Sequence, residues 1–315
     1  MNWLKSMVKQ REFMIFMIVS LLFIVMIFAS PYFLSTGNIL AVLLGLSLEA
    51  IIAVAMAHLM VSGGFDMSVG SVVAFTGAMT ALMLKAGVPI PMALLIGLLI
   101  GGAIGFFNGF IIAKVGINPF VTTLSSLSLF RGLTLIVTKG QNITGLPDAF
   151  KAIGQAKIFG IQTPILIAAA LIIVGDIYLR KSRFFRQSYY IGGNEQSARL
   201  SGIPVDKMKI LAYVLTGLFA AISGIVMTAR LGSASVTAGT GMELRVITAV
   251  IIGGASLQGG EGSVLGAFLG TFLIAIITNA LTLLGVDVYW QTFVLGGTLL
   301  TAVLIDTLSK KYKTI

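Results

Sequence analysis

Apolar segments long enough to cross a bilayer follow one another along almost the whole chain, and this succession limits the fold more than any other feature. A helix of about 20 apolar residues spans the hydrocarbon layer, and shorter segments can do so inside a bundle. The sequence therefore predicts an all-α polytopic membrane protein, with about ten transmembrane helices in one bundle and internal broken helices. A single transmembrane domain covers 1–315. The predicted spans are 13–32, 39–61, 68–84, 89–112, 118–138, 163–180, 210–230, 244–257, 263–284 and 289–308.

The composition excludes several other classes of protein. Charged residues make up only 10% of the chain and hydrophobic residues 57%, whereas a soluble domain carries roughly a quarter charged residues. A soluble enzyme is therefore excluded. The chain has no Cys and one His, which argues against a metal cluster or a catalytic triad. We predict no catalytic residues and no metal site.

Basic residues predict the orientation of the chain in the membrane. With both termini in the cytoplasm, fourteen of the 21 Lys and Arg residues lie in cytoplasmic segments and six in outer segments. Cytoplasmic loops of membrane proteins are enriched in Lys and Arg, so this orientation is favoured. The same enrichment explains the net charge of +10, and no nucleic-acid binding is predicted. The longest outer loop is 139–162 and the longest cytoplasmic loop is 180–209.

Glycines recur at intervals of four residues in two of the predicted spans. Such small residues let the backbones of neighbouring helices approach closely. Tight packing within one subunit is the favoured interpretation, and a moving seam or a subunit contact is the alternative. The two series are Gly97, Gly101, Gly105 and Gly109 in the fourth span, and Gly262, Gly266 and Gly270 in the ninth. The segments 63–73 and 253–265 are also loosely alike, as in transporters with repeated broken helices.

The cytoplasmic loop contains a short helix whose two ends are specified by sequence. Asn194 is a favourable N-cap, and Glu195 places negative charge in the first turn. Gly202 suits a left-handed C-terminal residue, and Pro204 prevents continuation. A helix of about two turns is not stable alone. It must therefore rest on the membrane surface or in a groove of a partner protein.

Three sequence blocks resemble the permease subunits of ABC-type importers for ribose and related simple sugars. They occur in the family's order and spacing, and the similarity covers nearly the whole chain. One departure is Phe65-Asp66-Met67, where the ribose members usually have Ile-Asp-Leu. The blocks are 64–71 (GFDMSVGS), 192–210 (GGNEQSARLSGIPVDKMKI) and 237–260 (TAGTGMELRVITAVIIGGASLQGG).

The resemblance implies that the cytoplasmic loop carries the coupling helix that docks on an ATPase subunit. It also implies an extracytoplasmic sugar-binding protein and a second permease subunit, forming a homodimer or a heterodimer. The chain has no GxxxxGK[ST] phosphate loop, so ATP and Mg would be used by the separate ATPase, and this chain would bind no cofactor. The residues that match the family's coupling helix are Asn194, Glu195, Ala198, Arg199, Leu200, Gly202 and Ile203.

Polar residues inside the predicted spans are candidates for a substrate path or for structural pairs. Glu49 and Arg131 lie at similar depths, and we interpret them first as an ion pair that joins two helices. Asp66 is placed to cap a helix start, with sugar passage as the alternative. The fifth span is rich in hydroxyl groups, which a path for sugars requires. The path candidates are Thr122, Thr123, Ser125, Ser126, Arg131, Asn108, Asn279 and Asp66.

These features predict a permease subunit in a bacterial cytoplasmic membrane that imports a simple sugar or a sugar-like molecule. A pentose, a hexose, a deoxysugar and autoinducer-2 fit this class. An ABC permease for branched-chain amino acids is the nearest alternative. A secondary transporter driven by an ion gradient, with Glu49 at its site, and a membrane scaffold that only binds proteins are further alternatives.

Overall fold

The computed structural model describes residues 11–313, and helices dominate this part of the chain. A π-helix extends the fourth α-helix. A short hairpin precedes the seventh α-helix, and its strands, β1 (Lys157–Ile158) and β2 (Ile161–Gln162), have two residues each. The α-helices are α1 (Arg11–Ala29), α2 (Thr36–Val61), α3 (Val69–Lys85), α4 (Ile90–Phe110) with the π-helix Ile111–Val115, α5 (Pro119–Thr138), α6 (Asp148–Gln155), α7 (Thr163–Lys181), α8 (Arg183–Gly193), α9 (Glu195–Leu200), α10 (Val205–Leu231), α11 (Met242–Ile252), α12 (Val264–Leu283) and α13 (Val288–Lys313).

The helices confirm an all-α polytopic membrane protein. Among the described residues, seven helices are long and apolar enough to cross a membrane: α1, α2, α4 with its π-helix, α5, α7, α10 and α12. Two shorter apolar helices are α3 and the part of α13 at Tyr289–Leu304. The predicted number of ten spans is therefore not established, although helices occur at all ten predicted positions.

The central helix of the bundle is α2, which packs against α7, α10, α11 and α12. Its residues from Ala50 to Val61 are all buried. This half of the helix is apolar around its whole circumference except for His58, and a helix with that pattern is stable only when neighbours surround it. The main apolar core of the protein forms around it.

The prediction of a continuous eighth span at 244–257 is wrong, because α11 ends at Ile252. Eleven residues rise about 16 Å, roughly half of the hydrocarbon thickness. Gly254, Gly259, Gly260 and Gly262 adopt positive φ angles after the helix and turn the chain instead of extending it. Before the helix, 232–241 is an irregular segment between α10 and α11. The second half of the chain thus contains a broken helix.

The two segments noted for their similarity, 63–73 and 253–265, contact each other. The amide of Gly260 donates a hydrogen bond of 2.9 Å to the carbonyl oxygen of Val61. A side chain at Gly259 would approach the Cα atoms of Gly63 and Gly192 to within 2.8 and 2.7 Å. The ends of α2 and α8 and the turn after α11 therefore meet at three glycines.

The glycine series in α4 packs against α10 within one subunit, which is the favoured interpretation from sequence. A Cβ atom at Gly101 would lie 2.5 Å from Ala221 Cβ, and one at Gly109 would lie 2.9 Å from the Cα of Ile210. At Gly105 it would clash with the backbone of Tyr213. Gly266 and Gly270 meet the backbone of Gly253 and Ala249 in the same way.

Replacing Gly105 by Ala is expected to lower the free energy of unfolding by about 1–3 kcal/mol, because the added methyl group overpacks the α4–α10 contact. The matched control is Gly296→Ala in α13, where no heavy atom lies within 4 Å of the new Cβ. This control should be neutral or stabilise by up to about 1 kcal/mol through helix propensity. Unfolding of the two full-length variants in the same micelles measures the difference, and equal stability would contradict this packing.

Candidate coupling helix and translocation path

The short helix predicted in the loop 180–209 is present as α9, with the predicted ends. The side chain of Asn194 accepts a hydrogen bond of 2.8 Å from the amide of Ser197, as an N-cap does. Gly202 has φ +79°, and the amide of Ile203 donates to the carbonyl of Ala198. These bonds satisfy backbone groups at both ends of the helix.

One face of α9 is attached to the protein and the other is free. Ala198 is buried against Ile191, Val205 and Met208, which come from α8 and the first turns of α10. Leu200 is 84% exposed. The outward face of α9 is therefore open to solvent and available for a contact with another protein.

A chain of ion pairs holds α9 to α10 and to the end of α4. Arg199 contacts Glu195 Oε1 at 2.9 Å and Asp206 Oδ1 at 2.5 Å, while Lys209 pairs with the other oxygen of Glu195. Asp206 also binds Lys114 Nζ at 2.7 Å. Lys114 belongs to the π-helix that extends α4. Helix α9 is therefore linked by side chains to two membrane-spanning helices.

The charges of α9 shift the pKa values of its own residues. Partial burial opposes ionisation of Glu195, but hydrogen bonds from Lys209 and Arg199 outweigh it and hold the pKa of this carboxyl below its ordinary value. Hydrogen bonds to Asp206 and Glu195 raise the pKa of Arg199. Both groups are therefore ionised at neutral pH, and the network is complete there.

Three of the predicted path residues form one buried hydrogen-bonded chain. Asn108 accepts from the Ser126 hydroxyl at 2.5 Å and donates to the Ser68 hydroxyl at 3.0 Å. Ser68 donates its hydroxyl and its amide to Asp66 Oδ1 at 2.6 and 2.7 Å. All four side chains are buried. These hydrogen bonds join α4, α5 and the start of α3. The four side chains therefore position the helices and do not line an open path.

The other hydroxyl groups of α5 fall into two sets. Thr122 and Thr123 donate to the carbonyls of Asn118 and Pro119, four residues earlier in the chain. Their hydroxyls are thus satisfied by their own helix. Ser125 and Ser128 are exposed, and they share a face with Gly132. These two exposed hydroxyls are available to a substrate or to another subunit, and that of Ser128 also lies 3.4 Å from the carbonyl oxygen of Leu124.

Arg131 holds the irregular segment that precedes α11. Its Nη1 donates to the carbonyls of Val236 and Ala238 at 3.0 and 2.9 Å, and its Nη2 lies 3.4 Å from the carbonyl of Gly70. Non-helical backbone at membrane depth must have its polar groups satisfied by the protein. Arg131 supplies two of these bonds, and its third contact, with Gly70, ties the segment to α3.

The predicted ion pair between Glu49 and Arg131 is wrong. Glu49 Oε1 contacts Nε of Arg245, on α11, at 2.6 Å. The prediction compared only the depths of the two residues, which leaves the direction of each side chain around its helix undetermined.

Asn279 is paired with Asn38 and does not stand alone in its span. Asn38 Nδ2 donates to Asn279 Oδ1 at 3.1 Å, and Asn279 Nδ2 donates back to Asn38 Oδ1 at 2.6 Å. This pair and the Glu49–Arg245 pair border an open cavity of about 380 Å³ between α2 and α12. The asparagine pair joins α2 to α12, and the Glu49–Arg245 pair joins α2 to α11.

Sequence reasoning missed three residues of the coupling-helix network: Asp206, Lys209 and Lys114. The first two follow α9 closely and could have been found, because opposite charges one or two turns apart pair on neighbouring helical segments. No local signal marks Lys114, which is 92 residues from Asp206 in sequence.

A double-mutant cycle should distinguish the two candidate partners of Glu49. For Glu49→Gln with Arg245→Gln we expect a coupling free energy of about 1–3 kcal/mol, since the two groups share a contact. For Glu49→Gln with Arg131→Gln the effects should add to within about 0.5 kcal/mol. Unfolding of the single and double variants in micelles gives both numbers. A larger coupling to Arg131 would reverse the assignment.

Comparisons with known proteins place the chain in a family. Residues 38–303 match the model of a family described as branched-chain amino acid transport system, permease component. The ribose import permease protein RbsC of Haemophilus influenzae is 39% identical over 306 residues, which cover 96% of this chain and 94% of that protein. No solved structure matches the chain.

Two further relatives cover the chain to a similar extent. The ribose import permease protein RbsC of Bacillus subtilis is 39% identical over 90% of both chains. The D-allose transport system permease protein AlsC of Escherichia coli is 35% identical over 91% of this chain and 90% of its own.

Proposed function

This chain belongs to the permease family that includes the ribose import permease proteins, and on that premise we propose that it is the transmembrane subunit of an ATP-driven importer for a simple sugar. The relatives named for ribose and allose support a sugar as the substrate. A pentose, a hexose, a deoxysugar or a sugar-like molecule such as autoinducer-2 fits this class. The subunit provides the translocation path and catalyses no covalent reaction itself.

The observation that carries this proposal is the geometry of α9. The helix is capped at both ends, attached along one face and tied by ion pairs to α10 and α4. Such a helix moves as one unit with the spans beneath it. We assign it to docking on a separate ATPase subunit that uses ATP and Mg.

The mechanism follows from these links. Closure of two ATPase subunits on ATP displaces α9, and the contacts of Asp206 and Lys114 carry the displacement to α10 and to the π-helix of α4. The π-helix leads through Gly116, in a left-handed conformation, directly into α5. Movement of α9 thus reaches the helix that we assign to the path.

We assign the path to the exposed face of α5, where it would face a second permease subunit. This helix packs mainly against α3, and its other side lacks neighbours in the described part of the chain. Ser125 and Ser128 supply hydroxyl groups on that side. An extracytoplasmic binding protein would deliver the sugar, and the second permease would be an identical or a similar chain.

The same transport assay tests two alternatives to this proposal, one for the transported substrate and one for the energy source. The description of the matching family names branched-chain amino acids, whereas the relatives are named for sugars. Uptake of leucine in place of a sugar would support the amino-acid alternative. The ion-driven alternative depended on Glu49, which is now neutralised by Arg245. Sugar uptake that stops when the ion gradient is collapsed, with ATP still present, would favour it.

Changes that displace α9 are expected to uncouple the importer without preventing membrane insertion. Gly202→Val places a β-branched residue at a left-handed backbone position, which costs about 1–2 kcal/mol. The pair Glu195→Ala and Arg199→Ala removes the ion pairs. We expect each variant to lower ATPase binding and ribose uptake by about tenfold, equivalent to about 1.4 kcal/mol.

The measurements are co-purification of the ATPase subunit with the tagged permease and uptake of labelled ribose, allose or arabinose by the whole importer. Lys207→Ala is the control, because Lys207 is an exposed charge at the start of α10 without a described ion pair. Wild-type binding and uptake in the Gly202 and Glu195/Arg199 variants would disprove the docking role.

The orientation is testable because the chain contains no Cys. A single cysteine at Ser201, at the end of α9, should react with a membrane-impermeant maleimide only after the cells are opened. A cysteine at Phe159, which is 99% exposed in the β1–β2 turn, should react in intact cells with a permeabilised outer envelope. The reverse labelling pattern would place α9 outside the cell and exclude its docking on a cytoplasmic ATPase.

A further inference from the structure

An apolar slot of about 200 Å³ opens between α2, α7 and α10 near the start of α8. Its walls are aliphatic or aromatic apart from His58 and the Tyr178 hydroxyl, and Val174 lies half-exposed at its mouth. The slot has room for a short stretch of one hydrocarbon chain, and Val174 and Tyr178, which line it, are exposed on the surface of α7. The function of the importer does not explain this slot.

His58 lies in this slot with both ring nitrogens buried and without a hydrogen-bond partner in the described part of the chain. Only 5% of the residue is exposed, and its ring packs edge-on against Phe185 at 5.1 Å between centroids. A buried polar group without a partner costs about 1–3 kcal/mol. Both nitrogens are shut off from the slot as the structure stands, so a ligand that accepts a hydrogen bond recovers this cost only when the ring turns towards it.

A second cavity, of about 510 Å³, shares Leu179 with the slot and is basic. Arg186 lines this cavity, and Lys181 and Arg183 are exposed beside it. None of these three side chains has an ion pair among the described residues, whereas Arg180 is occupied by Asp176 and Glu12 at 2.9 and 3.1 Å. Basic side chains without a described ion pair therefore lie next to the apolar slot.

Both cavities lie at the level where spans end and α8 begins. His58 is one turn from the end of α2, and Lys181 is the last residue of α7. This level corresponds to the boundary between hydrocarbon and headgroups, where phospholipid ester groups lie. Basic pockets between membrane helices at this depth suit anionic lipid headgroups.

We propose that this site binds one anionic glycerophospholipid. Its acyl chain occupies the slot, a ring N–H of His58 donates to an ester carbonyl, and Arg186 and Arg183 bind the phosphate. The site depends on the membrane-spanning bundle but not on the identity of the transported sugar, so lipid binding can be disproved while the proposed function stands.

The headgroup arm of the test compares phosphatidylglycerol with phosphatidylcholine of the same acyl chains. Both are titrated into the full-length chain in micelles, and native mass spectrometry counts the bound lipids. We expect preferential binding of phosphatidylglycerol, reduced about fivefold for each charge removed in Arg183→Gln and Arg186→Gln. Lys139→Gln and Lys157→Gln, in the opposite loop, should leave binding unchanged. Equal binding of the two lipids would overturn the proposal.

A second experiment tests the contribution of His58 to lipid binding. Ester-linked phosphatidylglycerol should bind about fivefold more tightly than its ether-linked analogue, which lacks the carbonyl acceptor. In His58→Phe this difference should disappear. In case that variant fails to fold, Val174→Phe at the mouth of the slot should also weaken binding, whereas Ile173→Phe, exposed one residue earlier, should not. An ester preference that survives in His58→Phe would remove His58 from the site.

The last arm separates a lipid from other anions or proteins. Millimolar inorganic phosphate or glycerol phosphate should not displace the lipid, because neither fills the slot. Displacement by them at the same concentration as the lipid would reduce the site to a phosphate pocket and overturn the proposal. Loss of ATPase binding in the Arg183 and Arg186 variants, with unchanged lipid affinity, would also overturn the proposal.

Discussion

The close contact between α4 and α10 is the interaction on which the candidate site depends. Glycines let the two backbones approach, with Gly101 against Ala221 and Gly109 against Ile210. The same end of α4 carries Asn108 and Lys114, and the same end of α10 carries Asp206. The glycine contact therefore sets the distances within both the buried polar chain and the ion network of α9.

Charged groups inside the bundle mainly stabilise irregular or interrupted backbone. Arg131 bonds to the carbonyls of Val236 and Ala238 before α11, and Arg245, on α11 itself, pairs with Glu49. A short helix preceded by irregular backbone has more polar groups to satisfy than a continuous span. The free-energy cost of placing these two arginines in the bundle is thus offset by their bonds to the carbonyls before α11 and to Glu49.

The sequence predicted local features well and tertiary partners poorly. The ends of α9 were predicted because Asn194 and Gly202 act within a few residues of themselves. The partner of Glu49 was predicted wrongly, since a choice among distant helices depends on how the bundle packs. Asn108, Ser126 and Asp66 were each recognised as candidates, yet nothing in their spacing indicated that one hydrogen-bonded chain joins them.

The link from α9 to α5 explains how a small movement can act at membrane depth. The ion pairs of α9 are partly exposed, and such pairs contribute little to stability. Their importance is positional: Lys114 belongs to a π-helix, a geometry that is frequent at functional sites. A change of register there would act on α5, which is bonded to α4 through Ser126 and Asn108. On the proposed function, docking and path are therefore connected through the end of α4 rather than through α10 alone.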